Sequence, residues 1–126
     1  MTLTQLKQRA LEKLGVLASG ESPNIGDATI IGERYTSLHE MLITEGLINW
    51  TPTENIPTWA EEPIVLMVAA ASMHEFALPA ARKAELRQDG QFNLPASLGG
   101  PSLAERQLRG QGAKNFVYYP QATEFY

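Results

Sequence analysis

Between Thr58 and Pro79 lies a stretch in which Ile64, Val65, Leu66, Met67, Val68, Ala69, Ala70, Ala71, Met73, Phe76 and Leu78 leave no continuous polar stripe. A helix that is apolar almost all round has to be enclosed on most sides, so this stretch sets the centre of the domain. Thr58 and Glu61 have the spacing of a capping box that opens the helix, and Pro79 ends or kinks it. Its longest uninterrupted apolar run, Ile64 to Ala71, is eight residues. About 20 are needed to cross a bilayer, so no membrane anchor is expected. The predicted fold class is all-α: a small helical bundle of three main helices plus one or two shorter ones, with an extended aromatic C-terminal tail.

The partners of that central helix are legible on either side. Thr2 and Gln5 form a capping box, and Leu3, Leu6, Ala10, Leu11 and Leu14 then recur at helical spacing. Gly15 ends this first helix in a left-handed conformation, which lets Val16 fold back on Leu11. Ser22 followed by Pro23 reads as the start of a second helix carrying Ala28, Ile31, Tyr35, Leu38 and Leu42. Glu45-Gly46-Leu47 repeats the first helix's ending. Asn49 to Pro57 has two prolines and no periodicity, and reads as a loop. Ala80 to Gln88 is a shorter helix of good formers. Ser102 and Glu105 form a third capping box, with Gly110 and Gly112 expected to limit the last helix to about two turns. Residues 1–112 therefore read as the helical domain and 113–126 as a separate extended tail.

Composition closes several routes to chemistry. The chain has 126 residues and no cysteine, which removes thiol catalysis, cysteine-based zinc sites and disulfide frameworks together. Fourteen acidic against ten basic side chains give a net charge of -4, unsuited to a nucleic-acid grip. Residues 20–62 hold eight acids against the single base Arg34, so the acidity is concentrated in the second quarter and just beyond it. The amino-terminal segment has dispersed charges and no apolar run of signal-peptide length, so export by that route is not expected.

His39 and His74 lie in similar pentapeptides, SLHEM and SMHEF. Neither has the second histidine four residues on that a zinc-protease helix supplies, so no metal site is expected. His39 is placed at the edge of the second helix's apolar stripe and His74 on the less buried side of the third. Glu54, Glu61 and Glu62 cluster near one loop and could supply the two carboxylates of a glycosidase. Acids at a helix's first turn are favoured by its dipole, however, and Glu61 already has a capping role. No nucleophile elbow, phosphate-binding glycine loop or serine-lysine pair accompanies them. The expectation is a protein that is not an enzyme, with no catalytic, cofactor-binding or metal-ligating residues.

Five of the ten aromatic residues, Phe116, Tyr118, Tyr119, Phe125 and Tyr126, fall in the last eleven positions. With Val117 they make a strand-prone segment interrupted by Pro120. Large rings left uncovered form an apolar patch of a kind that monomers rarely show, so this segment either folds back over its own helices or docks on another molecule. Trp50 and Trp59 raise the same pair of readings, interface anchor or plug of the helical core.

The order of these features resembles a family. LKQRALEKLGVLASGESP, then a helix ending MLITEGLINW, then an alanine-rich buried helix followed by LPAARKAEL, is similar to the head-to-tail adaptor (connector) proteins of tailed bacteriophages, including the tail accessory factors that stabilise packaged DNA. The likeness covers about residues 3 to 90. Where similar proteins often carry a tryptophan in the last turn of the second helix, this chain has Ile43. The resemblance implies a virion protein of the neck between capsid and tail, present in the host cytoplasm during assembly. It implies a homo-oligomeric ring, commonly of about twelve copies, in contact with the portal protein, with neighbouring adaptor subunits and with a downstream tail or nozzle protein. DNA passes through without sequence-specific binding. The partner-binding residues expected from this are Phe116, Val117, Tyr118, Tyr119, Phe125, Tyr126, Trp50 and Trp59. Glu33, Glu40 and Glu45 are the candidates for acids facing the channel, where repulsion of phosphates would keep the duplex from sticking. The alternatives are a small peptidoglycan-cleaving hydrolase using Glu54, Glu61 or Glu62, and a generic helical protein-binding regulator.

Overall fold

The computed structural model describes residues 1–115, and among them it contains five α-helices and no strand, the all-α bundle expected from the hydrophobic pattern. They are α1 (Leu3–Leu14), α2 (Ile25–Thr44), α3 (Glu61–Ser72), α4 (Ala80–Gly90) and α5 (Leu103–Asn115). The α3 helix is central. It packs against α1 and α2 as well as α4 and α5, and every residue from Pro63 to Ala70 is buried. An element without a polar face has found cover in all four neighbours, as its composition requires.

Both early helix endings form as their sequences dictate. Gly15 adopts φ 82° and Gly46 φ 75°. Val16 N donates to Leu11 O at 3.2 Å and Leu47 N to Leu42 O at 3.0 Å, the long bond of the Schellman motif. The α1 capping box is complete: Gln5 N donates to Thr2 Oγ1 at 3.2 Å and Thr2 N to Gln5 Oε1 at 2.9 Å.

Four boundaries differ from the sequence expectation, each for a physical reason. The second helix is capped by Asn24, not Ser22: Asp27 N donates to Asn24 Oδ1 at 2.8 Å, and Asn24 Nδ2 donates to Asp27 Oδ2 at 3.0 Å. This reciprocal pairing satisfies a free first-turn donor and leaves Gly26 in the first turn. Thr58 makes no capping bond; residues Thr58–Ala60 form a 3₁₀ turn that leads into α3, and the Glu61 carboxylate is taken by other partners. The central helix ends at Ser72 rather than at Pro79. After a 3₁₀ turn over Met73–Glu75 the chain is extended at Phe76 (φ -127°), and Pro79, which disfavours helical conformation at Leu78 just before it, keeps the helix from resuming. Phe76 and Leu78 still pack on the core from this loop. The last helix continues through Gly110 and Gly112 to Asn115: adding residues to a formed helix is far less costly than nucleating it, and buried Ala104 and Leu108 anchor the start. At that start Glu105 N donates to Ser102 Oγ at 3.3 Å. The Glu105 carboxylate does not complete the box; it accepts from Asn93 N at 2.9 Å and Arg109 Nε at 3.0 Å.

The α4 helix approaches α3 closely at Gly90. A Cβ added to Gly90 would lie 2.1 Å from the Leu66 carbonyl oxygen, so only glycine fits this crossing. A looser version joins α1 to α2, where the Lys7 stem lies over Gly32 at 3.2 Å from the position a Cβ would take.

Candidate functional site

Trp50 stands in the loop after α2 and packs back against that helix. Its side chain is 5% exposed; the indole Nε1 donates to Tyr35 Oη at 3.0 Å, and His39 Nε2 donates to the Trp50 carbonyl at 2.6 Å. Trp59 meets Trp50 edge-to-face with ring centroids 5.9 Å apart, and Tyr35 meets His39 at the same separation. Burial raises the Tyr35 phenol above its ordinary pKa, against the opposing effect of the Trp50 hydrogen bond, so the hydroxyl stays neutral. Of the two roles open to Trp50, this is the geometry of the plug; Trp59 is half-buried beside it. His39 is more deeply enclosed than a stripe-edge position, while His74 is exposed.

The three carboxylates considered for hydrolysis all have structural partners. Glu54 Oε1 accepts from Thr51 N at 2.6 Å, closing its own loop. Glu62 pairs with Arg9 at 2.8 Å and Lys13 at 3.1 Å. Glu61 pairs with the Met1 ammonium at 2.9 Å and with Arg9 at 3.5 Å, a set of contacts that ties α1 to the start of α3. Among the described residues no group of three or more His, Asp or Glu side chains could hold a metal ion.

The hydrogen bond from the Met1 ammonium, supported by Arg9, holds the Glu61 carboxyl below the usual carboxylate range. A depressed folded-state pKa contributes stability that is present above the ordinary value and lost as pH falls through the lowered one. The Tm of the wild type should therefore exceed that of Glu61→Gln at neutral pH, with the gap closing on acidification below about pH 4. Thermal melts followed by circular dichroism at several pH values read this directly; a gap that stays constant down to about pH 2 would count against the Glu61 pairing.

The exposed side of α2 carries both apolar and acidic side chains. Among the described residues the exposed large hydrophobic side chains are Ile25, Met41 and Ile43 on α2, and Leu98 and Leu103 around the start of α5. Glu33, Glu40 and Glu45 are all exposed; Glu33, Glu40 and Ile43 lie on the outward stripe of α2. A groove of about 310 Å³ is lined by Glu40, Met41, Thr44, Glu45, Phe92 and Asn93. A second, of about 330 Å³, lies alongside; Met41 and Phe92 line both, and Met67 and Met73 belong to the second. Sequence reasoning placed the acids but missed the apolar side chains between them, because one exposed Met or Ile is indistinguishable from a core residue until the helix's buried face is known. Phe116, Val117, Tyr118, Tyr119, Phe125 and Tyr126 lie outside the described residues.

Fold and surface together define a class: a small all-α bundle with exposed apolar and acidic side chains along α2. No helix among the described residues is long and apolar enough to cross a membrane. Compared with protein-family models, with curated proteins and with solved structures, the chain matches none.

Proposed function

We propose that the chain is a structural head-to-tail adaptor of a tailed phage, forming a ring that docks onto the portal and connects capsid to tail around the DNA channel. The observation that carries this reading is the separation of tasks along the chain. The helix that most needs cover, α3, receives it from α1, α2, α4 and α5, so the five aromatic side chains of residues 116–126 are not required to enclose it. A dense aromatic segment that the central helix does not call for is suited to another molecule. The resemblance in the order of features to the connector family is what points to the portal as that molecule.

The test is docking. The 126-residue chain mixed with the portal ring of its own virion should give a stoichiometric complex in native mass spectrometry. A chain truncated after Asn115 should keep its helicity and its Tm to within about 3 °C, since that corresponds to a small fraction of a domain's stability. Its affinity for the portal should fall by at least about a hundredfold, the scale expected when several aromatic anchors are removed. Collapse of helicity in the truncated chain, or undiminished docking, would end this reading.

A further inference from the structure

The exposed apolar side chains sit in two electrostatically opposite settings. On α2, Asp27, Glu33 and Glu40 against Arg34 give a formal charge of -2, with Glu45 just beyond its end. Arg34 is already paired with Glu75, so the outward stripe of Glu33, Glu40 and Ile43 with the neighbouring Met41 is acidic and apolar. On α5, within residues 103–110, Arg106 and Arg109 against Glu105 give +1. Glu105 is buried and bonded to Arg109 at 2.9 Å, while Leu103, Arg106 and Gln107 are exposed and share one face at helical spacing. The α2 helix packs on α1 and α3, and α5 on α3 and α4, so neither apolar surface is covered by the other within one chain.

We infer that these two surfaces are halves of one interface: the acidic, Met41-containing face of α2 receives the basic, Leu103-containing start of α5 from a second copy of the chain. The groove between Glu40, Met41, Glu45 and Phe92 is the recess for an apolar side chain, and its carboxylates are the partners for Arg106. Opposite charges on two patches of the same molecule favour copy-to-copy contact and disfavour pairing of either patch with itself. Made once per pair of copies, this contact is heterologous and continues from copy to copy, closing into a ring when the rotation permits; made reciprocally about a two-fold, it would close at a dimer. The inference thereby deepens the ring reading and rests on it for closure alone. It also assigns Glu40 and Glu45 to a subunit contact instead of the channel wall.

The absence of cysteine and the charge asymmetry make the test clean. Sedimentation at low salt should show wild-type self-association that weakens as salt rises. The single variants Glu40→Arg and Arg106→Glu should each associate at least about tenfold more weakly, since each creates like-charge contacts. Mixing the two variants should restore association, because each then offers the other a complementary half. Folding of both is checked by circular dichroism. A wild type that stays monomeric at low salt, or a Glu40→Arg variant that associates like wild type, would overturn the proposal. A variant carrying both Glu40→Cys and Arg106→Cys, oxidised, should form products longer than dimers. Disulfide-linked products ending at dimers would keep the α2–α5 pairing and count against the ring. Self-association without portal binding would retain this interface and remove the adaptor reading; portal binding by a persistent monomer would do the reverse.

Discussion

Gly90→Ala should lower the Tm by roughly 5–15 °C, the equivalent of about 1–3 kcal/mol for a well-packed site in a domain of this size. The added methyl would lie 2.1 Å from Leu66 O and 2.6 Å from Leu66 C. Both atoms belong to the backbone of a helix held on all sides, so no side-chain rotation relieves the contact and α3 and α4 must move apart. Separation would expose the apolar surface between two helices and loosen Leu86, which is 1% exposed on the same helix. Gly110→Ala is the control. It lies within α5 with nothing within 4 Å of its added Cβ, so the usual helix preference applies and alanine should stabilise by about 0.5–1 kcal/mol. Opposite signs from the same chemical change at two helical glycines would isolate packing from propensity. An unchanged Tm for Gly90→Ala would mean that the α3–α4 crossing is not as close as described.

Trp50→Ala should cost about 3–5 kcal/mol, the range for removing a large buried aromatic side chain. The loss has two parts. One is the cavity left against Trp59 and the ends of the helices. The other is the Tyr35 hydroxyl, which loses its indole donor in a site where burial already disfavours its ionised form. Trp50→Phe separates them: most ring packing is retained while the N–H disappears, so about 1–3 kcal/mol should remain, the cost of an unsatisfied buried polar group. In Tyr35→Phe combined with Trp50→Phe both polar ends are gone, and the double variant should be less destabilised than the sum of the singles. Chemical denaturation of the four proteins measures this coupling. Strict additivity would show that the indole–phenol contact contributes nothing of its own. The His39 bond to the Trp50 carbonyl survives all of these changes because it involves the backbone.

How much of this was readable from the chain depends on the range of each interaction. The enclosed α3, the capping box at Thr2 and both left-handed glycine endings were legible, since each is a pattern or a contact spanning a few residues. The extent of α5 was not, because Gly110 and Gly112 lower helix propensity locally while the packing that anchors the helix comes from Ala104 and Leu108 meeting residues far away in sequence. The site was less legible than the fold. The acids Glu33, Glu40 and Glu45 could be named, but their placement beside Met41, Ile43 and Phe92 could not, as it depends on which side of α2 is buried and on where the segment after α4 returns.

The amino-acid order by itself determined that this chain is a helical bundle built around one apolar helix, and it determined where α1 and α2 stop. Those outcomes follow from steric and hydrogen-bonding preferences satisfied between neighbours. Only the tertiary structure decided that Glu61 and Glu62 hold α1, that Trp50 closes on Tyr35 and His39, and that Gly90 admits Leu66. The sequence separations are 53 residues for Arg9 with Glu62 and 15 for Trp50 with Tyr35, and no local preference reaches that far. Partners so distant are chosen by which surfaces the collapsed helices bring together, and burial then requires each polar group to find its hydrogen bond there.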